Sequence, residues 1–430
     1  MSRIPYLIVG NSAAAVGAVE GIRSADGDRP ITIVAAEPHH TYSRPLISYL
    51  LGGEVAEDRM SYRPADFYTR NNVQAVLGVE IAGVLPAERA AIGADGRRFE
   101  FEKLLIATGG KPIVPPDVTA TATRGVFTFT TWKDARDISA YIRDNSVRRA
   151  TVIGGGLIGL KCMEALYRLG IETTVVELAE RILSITFDET ASDLARRHLE
   201  ECGVRILCGT TAERILCADG AVRGLVLTNG TRLDCQLVIF AIGVRPNVDL
   251  VRGTEIRVER GIVCDETMQT SAPGIYAAGD VAQVQDLLTG ASRPIPILPN
   301  AYRQGFIAGC NMAGRTRRYR GAIAMNSVDV LGLPTISVGI TAGEHLAECE
   351  TLSVLDARRP AYKKVVLRRG RAVGAIFIGD IDRAGIITGI IRDGLDVSAV
   401  KDLLLTDQFG LISLPAEYRK HVVSGLGIEV

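Results

Sequence analysis

A glycine-rich turn in the middle of the chain has the residue types that bind a nucleotide pyrophosphate. In "ATVIGGGLIGLKC" an apolar strand comes directly before the turn and a helix directly after it. The first glycine of such a turn allows a tight bend, the second lets the backbone approach the phosphates, and the third lets helix and strand pack closely. The helix N-terminus then offers free N–H groups to the anion. The pattern predicts an NAD(H) site formed by Gly154, Gly155, Gly156, Leu157, Ile158 and Gly159.

An acidic residue at the end of the next strand completes this motif. Glu177 closes the strand "ETTVVE", near the distance of about 20 residues at which a carboxylate binds the adenosine ribose. A carboxylate there accepts hydrogen bonds from the ribose hydroxyls and repels a 2′-phosphate. The sequence therefore favours NAD over NADP for this half of the chain.

The N-terminal stretch has the same order of strand, turn and helix but keeps only one of the three glycines. Gly10 supplies the turn in "YLIVGNSAAAVGAVEGIR", whereas Ser12 and Ala15 stand at the second and third glycine positions. Serine is small, and its hydroxyl can donate to a phosphate. Glu37 ends the following strand, where a ribose-binding acid would lie. On these residues alone, a second nucleotide site and a plain strand–turn–helix connection are equally open.

The elements needed to hold these turns occur twice along the chain. The segment "KLLIATGGKP" ends a buried strand in glycines, and "QLVIFAIGVRPN" ends a later strand in a similar way. Each half thus repeats strand, glycine turn, helix, strand and acid, which indicates an internal duplication. Short connections between such elements predict parallel sheets in an α/β fold. From Gly321 onward the pattern changes to strands, a hairpin and a helix, which favours a third, α+β domain.

Composition and charge exclude several classes of function. The 49 basic residues balance the 49 acidic ones, whereas a dedicated nucleic-acid-binding protein would carry a basic excess. No run approaches the roughly 20 apolar residues of a membrane span. The apolar N-terminal stretch could mimic a signal peptide, but Asn11, Ser12 and Glu20 interrupt it. We therefore expect a cytoplasmic protein with no membrane span and no nucleic-acid partner.

The cysteines do not form a metal site or a redox motif. None of the eight is part of a CxxC pair, and no cluster has zinc or iron–sulfur spacing. Most lie in apolar runs such as "RILCG" and "LDCQLVIF". This placement is typical of buried cysteines in a reducing compartment, and no metal site is predicted.

Motifs from both halves together resemble one enzyme family. In "GIYAAGDV", Asp280 follows a small apolar strand. The chain thereby presents, in order, "IVGNSAA", "YSRPL", "LLIATGG", "VIGGGLIGL", "AIGVRPN" and "IYAAGDVA". This set resembles the FAD-dependent pyridine nucleotide oxidoreductases over roughly the first 310 residues. The C-terminal third resembles the small domain of the rubredoxin reductase and nitrite reductase branch of that family.

The resemblance implies how the domains are arranged along the chain. The FAD-binding domain is expected to be discontinuous, with residues 1–115 as its first part and residues 245–320 as its second. The NAD-binding domain would occupy residues 116–244, and the α+β domain residues 321–430. The expected fold class is α/β, with two Rossmann-like domains built as three layers around parallel sheets and a C-terminal α+β interface domain.

The resemblance also assigns roles to individual residues. Glu37 would bind the adenosine ribose of FAD, and Asp280 would accept a hydrogen bond from a ribitol hydroxyl. The helix starting near Asn300 would point its N-terminus at the flavin, with Arg303 and Gln304 either taking part there or lying in a solvated first turn. Gly243 would join the residues that bind NAD(H). The implied FAD-binding residues are Gly10, Ser12, Ala14, Ala15, Glu37, Arg44, Pro45, Ile81, Ala107, Thr108, Gly109, Gly279 and Asp280.

Two departures from the family narrow the mechanism. Relatives that reduce disulfides carry reactive cysteines after the first βαβ unit, but "HTYSRPLISYLLGGEV" contains none. A thiol relay therefore has no nucleophile, and electrons must leave the flavin directly. Many relatives also have glutamate where this chain has Lys161. The lysine is either a charged group acting on the flavin or a lysine on the helix surface near a domain boundary; the sequence leaves both open.

The implied activity is hydride exchange between NAD(H) and FAD. In detail the chain is similar to the FAD-bearing subunits of 2-oxoacid dehydrogenases of the phenylglyoxylate type. That similarity implies an electron-transfer subunit between NAD+ and iron–sulfur partner subunits in a hetero-oligomeric complex. Three alternatives stay open: a stand-alone NADH:rubredoxin or ferredoxin reductase, an NADH oxidase, and a cofactor-binding interaction protein with little turnover.

Overall fold

The computed structural model describes residues 3–119, 124–356 and 358–415. The predicted domains also include residues 1–2, 120–123, 357 and 416–430, which lie outside the described residues. The chain begins with strands and helices that alternate as the N-terminal pattern predicts. The elements of this first segment are β1 (Ile4–Val9), α1 (Ala13–Arg23), β2 (Ile31–Ala35), α2 (Ile47–Leu51), α3 (Phe67–Arg70), β3 (Val73–Leu77), β4 (Ile81–Leu85), β5 (Ala90–Gly93), β6 (Arg98–Ile106) and β7 (Gly110–Pro112).

Three further segments follow in chain order. The middle segment contains α4 (Pro116–Thr119), β8 (Val126–Thr128), α5 (Trp132–Asp144), β9 (Arg149–Ile153), α6 (Leu157–Arg168), β10 (Glu172–Val176), α7 (Glu189–Glu201), β11 (Arg205–Leu207), β12 (Ala212–Ala218), β13 (Ala221–Leu227), β14 (Arg232–Asp234), β15 (Leu237–Phe240) and β16 (Val244–Pro246). The next contains β17 (Ile262–Val263), β18 (Ile275–Ala277), β19 (Ala282–Gln285), β20 (Ser292–Arg293) and α8 (Leu298–Met312). The last contains β21 (Met325–Val330), β22 (Leu333–Gly339), β23 (Glu350–Asp356), β24 (Ala361–Arg368), β25 (Arg371–Ile378) and α9 (Ala384–Asp393).

The first sheet combines a parallel core with an antiparallel extension. Strands β3, β2, β1 and β6 lie parallel in that order, and β18 pairs with the other edge of β6 near its end. Strand β2 is buried along its whole length, as its continuous apolar run predicts. Strand β5 pairs antiparallel with the beginning of β6, and β4 pairs antiparallel with β5. The carboxyl ends of β1, β2, β6 and β18 therefore meet at one edge of the sheet.

The second sheet repeats the parallel arrangement. Its strand order is β11, β10, β9, β15 and β8, with every pair parallel. Strands β12 to β14 form a separate antiparallel sheet. Strands β7 and β16, which continue from the ends of β6 and β15, pair with each other, so that Pro112 faces Val244. The chain thus crosses between the two parallel sheets along two adjacent strands.

Helices α1 and α8 approach each other closely because glycines line their contact. A Cβ atom at Gly305 would lie 1.9 Å from the carbonyl oxygen of Ala14, and one at Gly17 would lie 2.2 Å from that of Tyr302. Neither position could hold a larger residue without moving backbone. The contact holds the N-terminus of α8 beside the turn that follows β1. The glycines of this contact are Gly17, Gly21, Gly305 and Gly309.

The C-terminal segment forms a five-stranded antiparallel sheet covered by α9. Its strand order is β21, β22, β25, β24 and β23. One hydrophobic core joins this sheet to the other parts of the chain, since Leu51 of α2, Leu166 of α6 and Ile376 of β25 belong to the same buried cluster. The α/β prediction with a C-terminal α+β domain is therefore confirmed. Within the described residues no helix has the length and apolar character needed to cross a membrane.

Candidate functional site

A cavity of about 690 Å³ opens where the carboxyl ends of the first parallel sheet meet the middle and C-terminal segments. Ligands in open α/β sheets bind at this edge. The cavity wall includes twelve of the thirteen residues predicted for FAD, Ala15 being the exception. Of the residues predicted for NAD(H), Leu157 and Ile158 lie on this wall. The predicted FAD residues on the wall are Gly10, Ser12, Ala14, Glu37, Arg44, Pro45, Ile81, Ala107, Thr108, Gly109, Gly279 and Asp280.

The turn after β1 has the geometry of a nucleotide cradle. Gly10 has a φ of +120°, and a Cβ atom there would lie 2.1 Å from the carbonyl oxygen of Ala107, so only glycine fits. Ser12 is the N-cap of α1, yet its side chain makes no capping hydrogen bond. Its hydroxyl and the N-terminus of α1 are therefore able to bind a phosphate. Ala15 is fully buried and packs inside the domain, which explains why it is not on the wall.

Glu37 is held by two side chains that reach it from the next loop. Arg44 donates a hydrogen bond of 2.5 Å to Oε1 of Glu37, and the Tyr42 hydroxyl donates one of 2.7 Å to Oε2. Arg44 also donates to the carbonyl oxygen of Thr130 at 2.7 Å. Burial raises the pKa of Tyr42 well above its usual value, so its hydroxyl remains a donor. The sequence motif predicts the acid but not the arginine and tyrosine that orient it.

Asp280 lies on the cavity wall beside a positively charged group. Burial raises the pKa of its carboxyl, and the positive charge of Arg44 offsets part of that shift. The preceding Gly279 has a φ of +84°, and its N–H donates a hydrogen bond of 2.7 Å to Oε1 of Gln304. Gln304 is only 1% exposed. The expected solvated position for Gln304 is therefore wrong, because this side chain turns inward to hold the backbone before Asp280.

One ion pair on the cavity wall has no counterpart in the sequence predictions. Lys111 of β7 donates a hydrogen bond of 3.1 Å to Oδ2 of Asp249, and both residues line the cavity. The pair lowers the pKa of Asp249, chiefly through the hydrogen bond from Lys111. The two residues are far apart in sequence, and only the pairing of β7 with β16 brings their segments together. No local motif could have indicated this contact.

In the turn after β9, a side chain would meet different surroundings at Gly154, Gly156 and Gly159. Gly154 has a φ of +115°, and a Cβ there would lie 2.3 Å from the carbonyl oxygen of Ala241. A Cβ at Gly159 would lie 1.9 Å from the carbonyl oxygen of Gly154, so the helix could not pack. A Cβ at Gly156 would meet nothing within 4 Å. Gly156 therefore faces open space, where a pyrophosphate can approach the backbone.

Glu177 is fixed beside this turn by two backbone N–H groups. Gly155 donates to Oε2 at 2.6 Å and Ala179 donates to Oε1 at 2.8 Å. The carboxylate thus keeps its position next to the turn with lone pairs available for ribose hydroxyls. Gly243, also predicted for NAD(H), has a φ of +121° at the end of the neighbouring strand. Both residues flank the glycine turn but lie outside the wall of the 690 Å³ cavity.

We expect Glu177→Gln to reduce the preference for NADH over NADPH by about 10- to 100-fold, because it removes the charge that repels a 2′-phosphate. The measurement is kcat/KM for flavin reduction with each nucleotide. Glu172→Gln is the matched control, since Glu172 is an exposed acid at the start of the same strand. An unchanged ratio in Glu177→Gln would contradict the assigned role.

Lys161 lies on the cavity wall. Its side chain is 18% exposed and forms an ion pair with Glu164 of the same helix. Its ammonium lies 4.7 Å from the centroid of the Tyr49 ring and donates to the carbonyl oxygen of Asp329 at 3.4 Å. Tyr49 and Asp329 also line the cavity.

No cysteine is among the residues that line the cavity. Cys162 lies in α6, one residue after Lys161, but it is fully buried, and burial raises the pKa of its thiol far above the usual value. A thiol in that state is a poor nucleophile. The structure therefore places no reactive cysteine on the cavity wall.

Alkylation of the native protein by iodoacetamide is accordingly expected to leave the rate of flavin reduction by NADH within about twofold of the untreated rate. Stopped-flow absorbance would measure this rate. The exposed Cys217 provides an internal control, since its modification proves that the reagent reacted. A loss of rate that tracks modification of a second thiol would show that a cysteine takes part.

The fold and the two glycine turns define a protein with two dinucleotide sites, each at the carboxyl edge of a parallel sheet. Residues 4–305 match the family described as pyridine nucleotide-disulphide oxidoreductase. Residues 325–395 match the rubredoxin NAD+ reductase C-terminal domain. The chain belongs to the pyridine nucleotide-disulphide oxidoreductase family.

Known proteins resemble the chain along most of its length. It is 31% identical over 399 residues to the NADH-dependent phenylglyoxylate dehydrogenase subunit epsilon of Aromatoleum evansii, covering 92% of this chain and 93% of that protein. A NAD-dependent persulfide reductase from A. fulgidus superposes with a TM-score of 0.84 at 26% identity, covering 93% of this chain and 78% of that one. The covalent putidaredoxin reductase–putidaredoxin complex superposes with a TM-score of 0.82 at 26% identity, covering 91% of this chain and 93% of that one.

These matches confirm the predicted family and an NADH oxidoreductase that uses FAD and NAD(H). The residues present fit both cofactors: Ser12 has an uncommitted hydroxyl on the cavity wall, and the space at Gly156 is open. Bound FAD supplies hydride exchange with nicotinamide and can pass on electrons one at a time. The chain's own part is to bind both nucleotides and to bring their rings together.

Proposed function

We propose that the chain is the FAD- and NAD(H)-binding subunit of a 2-oxoacid dehydrogenase, where it exchanges electrons with iron–sulfur partner subunits. The observation that carries this proposal is the 31% identity to the phenylglyoxylate dehydrogenase subunit, which extends over more than nine-tenths of both chains. A match of that extent includes the C-terminal sheet as well as the two nucleotide-binding parts. In the proposed complex the subunit works in the cytoplasm, and NAD+ is the final acceptor.

The cysteine-free cavity supports direct transfer to a partner. None of the wall residues is a thiol that could relay electrons, so the electrons pass without a covalent protein intermediate. The described part of the chain also has no group of three or more metal-ligating side chains. A partner with its own clusters would fit a cofactor that can transfer electrons singly.

Anaerobic purification from the native host under mild conditions tests this proposal. The expected result is a complex that contains iron, labile sulfide and further subunits, and that reduces NAD+ when a 2-oxoacid is added. Omitting the 2-oxoacid is the control. A yellow homo-oligomer without iron, inactive with 2-oxoacids, would contradict the proposal.

A stand-alone NADH:rubredoxin or ferredoxin reductase is the second candidate. It is favoured by the match of residues 325–395 to the rubredoxin NAD+ reductase C-terminal domain and by the similarity to the putidaredoxin reductase complex. This candidate requires turnover of the purified chain alone with NADH and a small iron–sulfur acceptor. Rapid oxygen consumption with NADH, and no transfer to such acceptors, would instead support an NADH oxidase.

A further inference from the structure

Lys161 lies where three parts of the chain meet around one cavity. It belongs to α6, the helix that follows the NAD(H) turn, while Tyr49 belongs to α2 of the FAD-binding part and Asp329 to β21 of the C-terminal sheet. All three residues line the cavity. The ammonium of Lys161 contacts both of the others, through the ring of Tyr49 at 4.7 Å and the carbonyl oxygen of Asp329 at 3.4 Å.

Residues from both nucleotide-binding parts of the chain line the cavity that contains this junction. Leu157 and Ile158, in the first turn of α6, line it from the NAD(H) side, and Pro45 lines it from the FAD side. Hydride exchange requires the nicotinamide and flavin rings to be in contact. The rings must therefore meet in the region that residues of both turns share, and Lys161 is the lysine that α6 contributes to that region.

The charge of Lys161 is part of a chain of ion pairs that runs away from the cavity. Its ammonium pairs with Glu164, whose side chain is 4% exposed. Arg168 also pairs with Glu164 at 3.0 Å and with Glu54 at 3.1 Å. The four charges sum to zero, so removal of any one leaves a net charge beside the cavity. A charge in a partly buried site acts more strongly than one in water.

We propose that Lys161 is a positioning residue that sets the reduction potential of the bound flavin. In the exchange a C4–H bond of the nicotinamide breaks and an N5–H bond of the flavin forms. The nicotinamide is oxidised by two electrons, and the flavin ring is reduced and gains one negative charge. A nearby ammonium lowers the free energy of the reduced, more negative state. Tyr49 and Glu164 hold that ammonium at the junction.

The proposal depends on hydride exchange between NAD(H) and FAD and is independent of which partner takes or gives the electrons. The potential is measured on the isolated, FAD-loaded chain by equilibration with a reference dye. Failure of the proposed 2-oxoacid dehydrogenase role would leave this measurement unaffected. Failure of Lys161 to affect the potential would likewise leave the partner question open.

The decisive experiment compares variants that change the local charge in opposite directions. Lys161→Met is expected to shift the two-electron reduction equilibrium about tenfold toward oxidised flavin, a fall of about 30 mV. Glu164→Gln is expected to shift it in the opposite direction, because the ammonium loses its compensating charge. A residue with only a structural role would not produce shifts of opposite sign.

Two further variants complete the design. Asp329→Asn keeps an acceptor for the Gly332 N–H, which now donates to the aspartate at 2.8 Å, and it also raises the local charge. If Glu164→Gln does not fold, Asp329→Asn takes its place as the variant that makes the local charge more positive. Lys401→Met removes a lysine that pairs with Glu350 on the C-terminal domain, away from the cavity wall, and is expected to leave the equilibrium within twofold. Shifts of the same sign, or a Lys161→Met shift below twofold, would overturn the proposal.

Discussion

Replacing Ser12 with tyrosine is expected to give a folded but colourless protein. Ser12 stands at the second glycine position of the motif, where the backbone is predicted to approach the FAD pyrophosphate, and it lines the cavity without capping α1. A tyrosine there fills the space that the phosphates need. We expect FAD affinity to fall on the order of 1000-fold, equivalent to about 4 kcal/mol. Ser12→Gly restores the glycine of the common motif and is expected to keep FAD bound.

The single tryptophan of the chain provides the measurement. Trp132 lies 4.7 Å from the ring of His39, which is on the cavity wall, so its fluorescence should be quenched when FAD enters the apoprotein. Titration of the apo forms of both Ser12 variants gives the affinities directly. Circular dichroism establishes that Ser12→Tyr is folded. A yellow Ser12→Tyr protein with native FAD affinity would show that the cofactor does not use this turn.

Much of the fold could be predicted because its signals are local. Strands such as Ile31–Ala35 are buried along their whole length and appear as continuous apolar runs. Not every antiparallel pair could be found in this way. Strand Ala212–Ala218, for instance, has mostly exposed or half-buried residues with a register shift, so its sequence has no clear alternation. Its place depends on the neighbouring strand.

The residues of the candidate site likewise differ in how far a local sequence pattern indicates them. Gly10 and Glu37 lie within one βαβ unit, so a short window of sequence picks them out as candidates, although the motifs further along the chain are needed to choose a nucleotide site. The ion pair between Lys111 and Asp249 joins residues that only the fold brings together. The same holds for Lys161 and Tyr49, whose contact joins α6 to α2. The charged contacts around the cavity thus depend on tertiary structure, whereas the residues predicted to bind phosphate lie within one local motif.

Gly156→Val, which changes the glycine turn after β9, is expected to abolish use of NADH while leaving FAD bound. A Cβ at Gly156 meets nothing within 4 Å, and the backbone there is not left-handed, so Gly156→Val should fold. The added side chain occupies the space through which the NAD(H) pyrophosphate is predicted to approach. We expect kcat/KM for flavin reduction by NADH to fall at least about 100-fold, corresponding to a loss of about 2.7 kcal/mol of binding energy.

Three controls separate this effect from damage to the fold. Dithionite should reduce the flavin of Gly156→Val as completely as that of the native protein, and FAD content should be unchanged. Gly27→Val adds the same side chain at an exposed glycine with equally open surroundings and should behave as native. Gly156→Ala should show an intermediate loss. If Gly156→Val retained native kcat/KM for NADH, the pyrophosphate would have to bind elsewhere. Because Ser12→Tyr should still bind NAD+, the two variants together assign each nucleotide to its own turn.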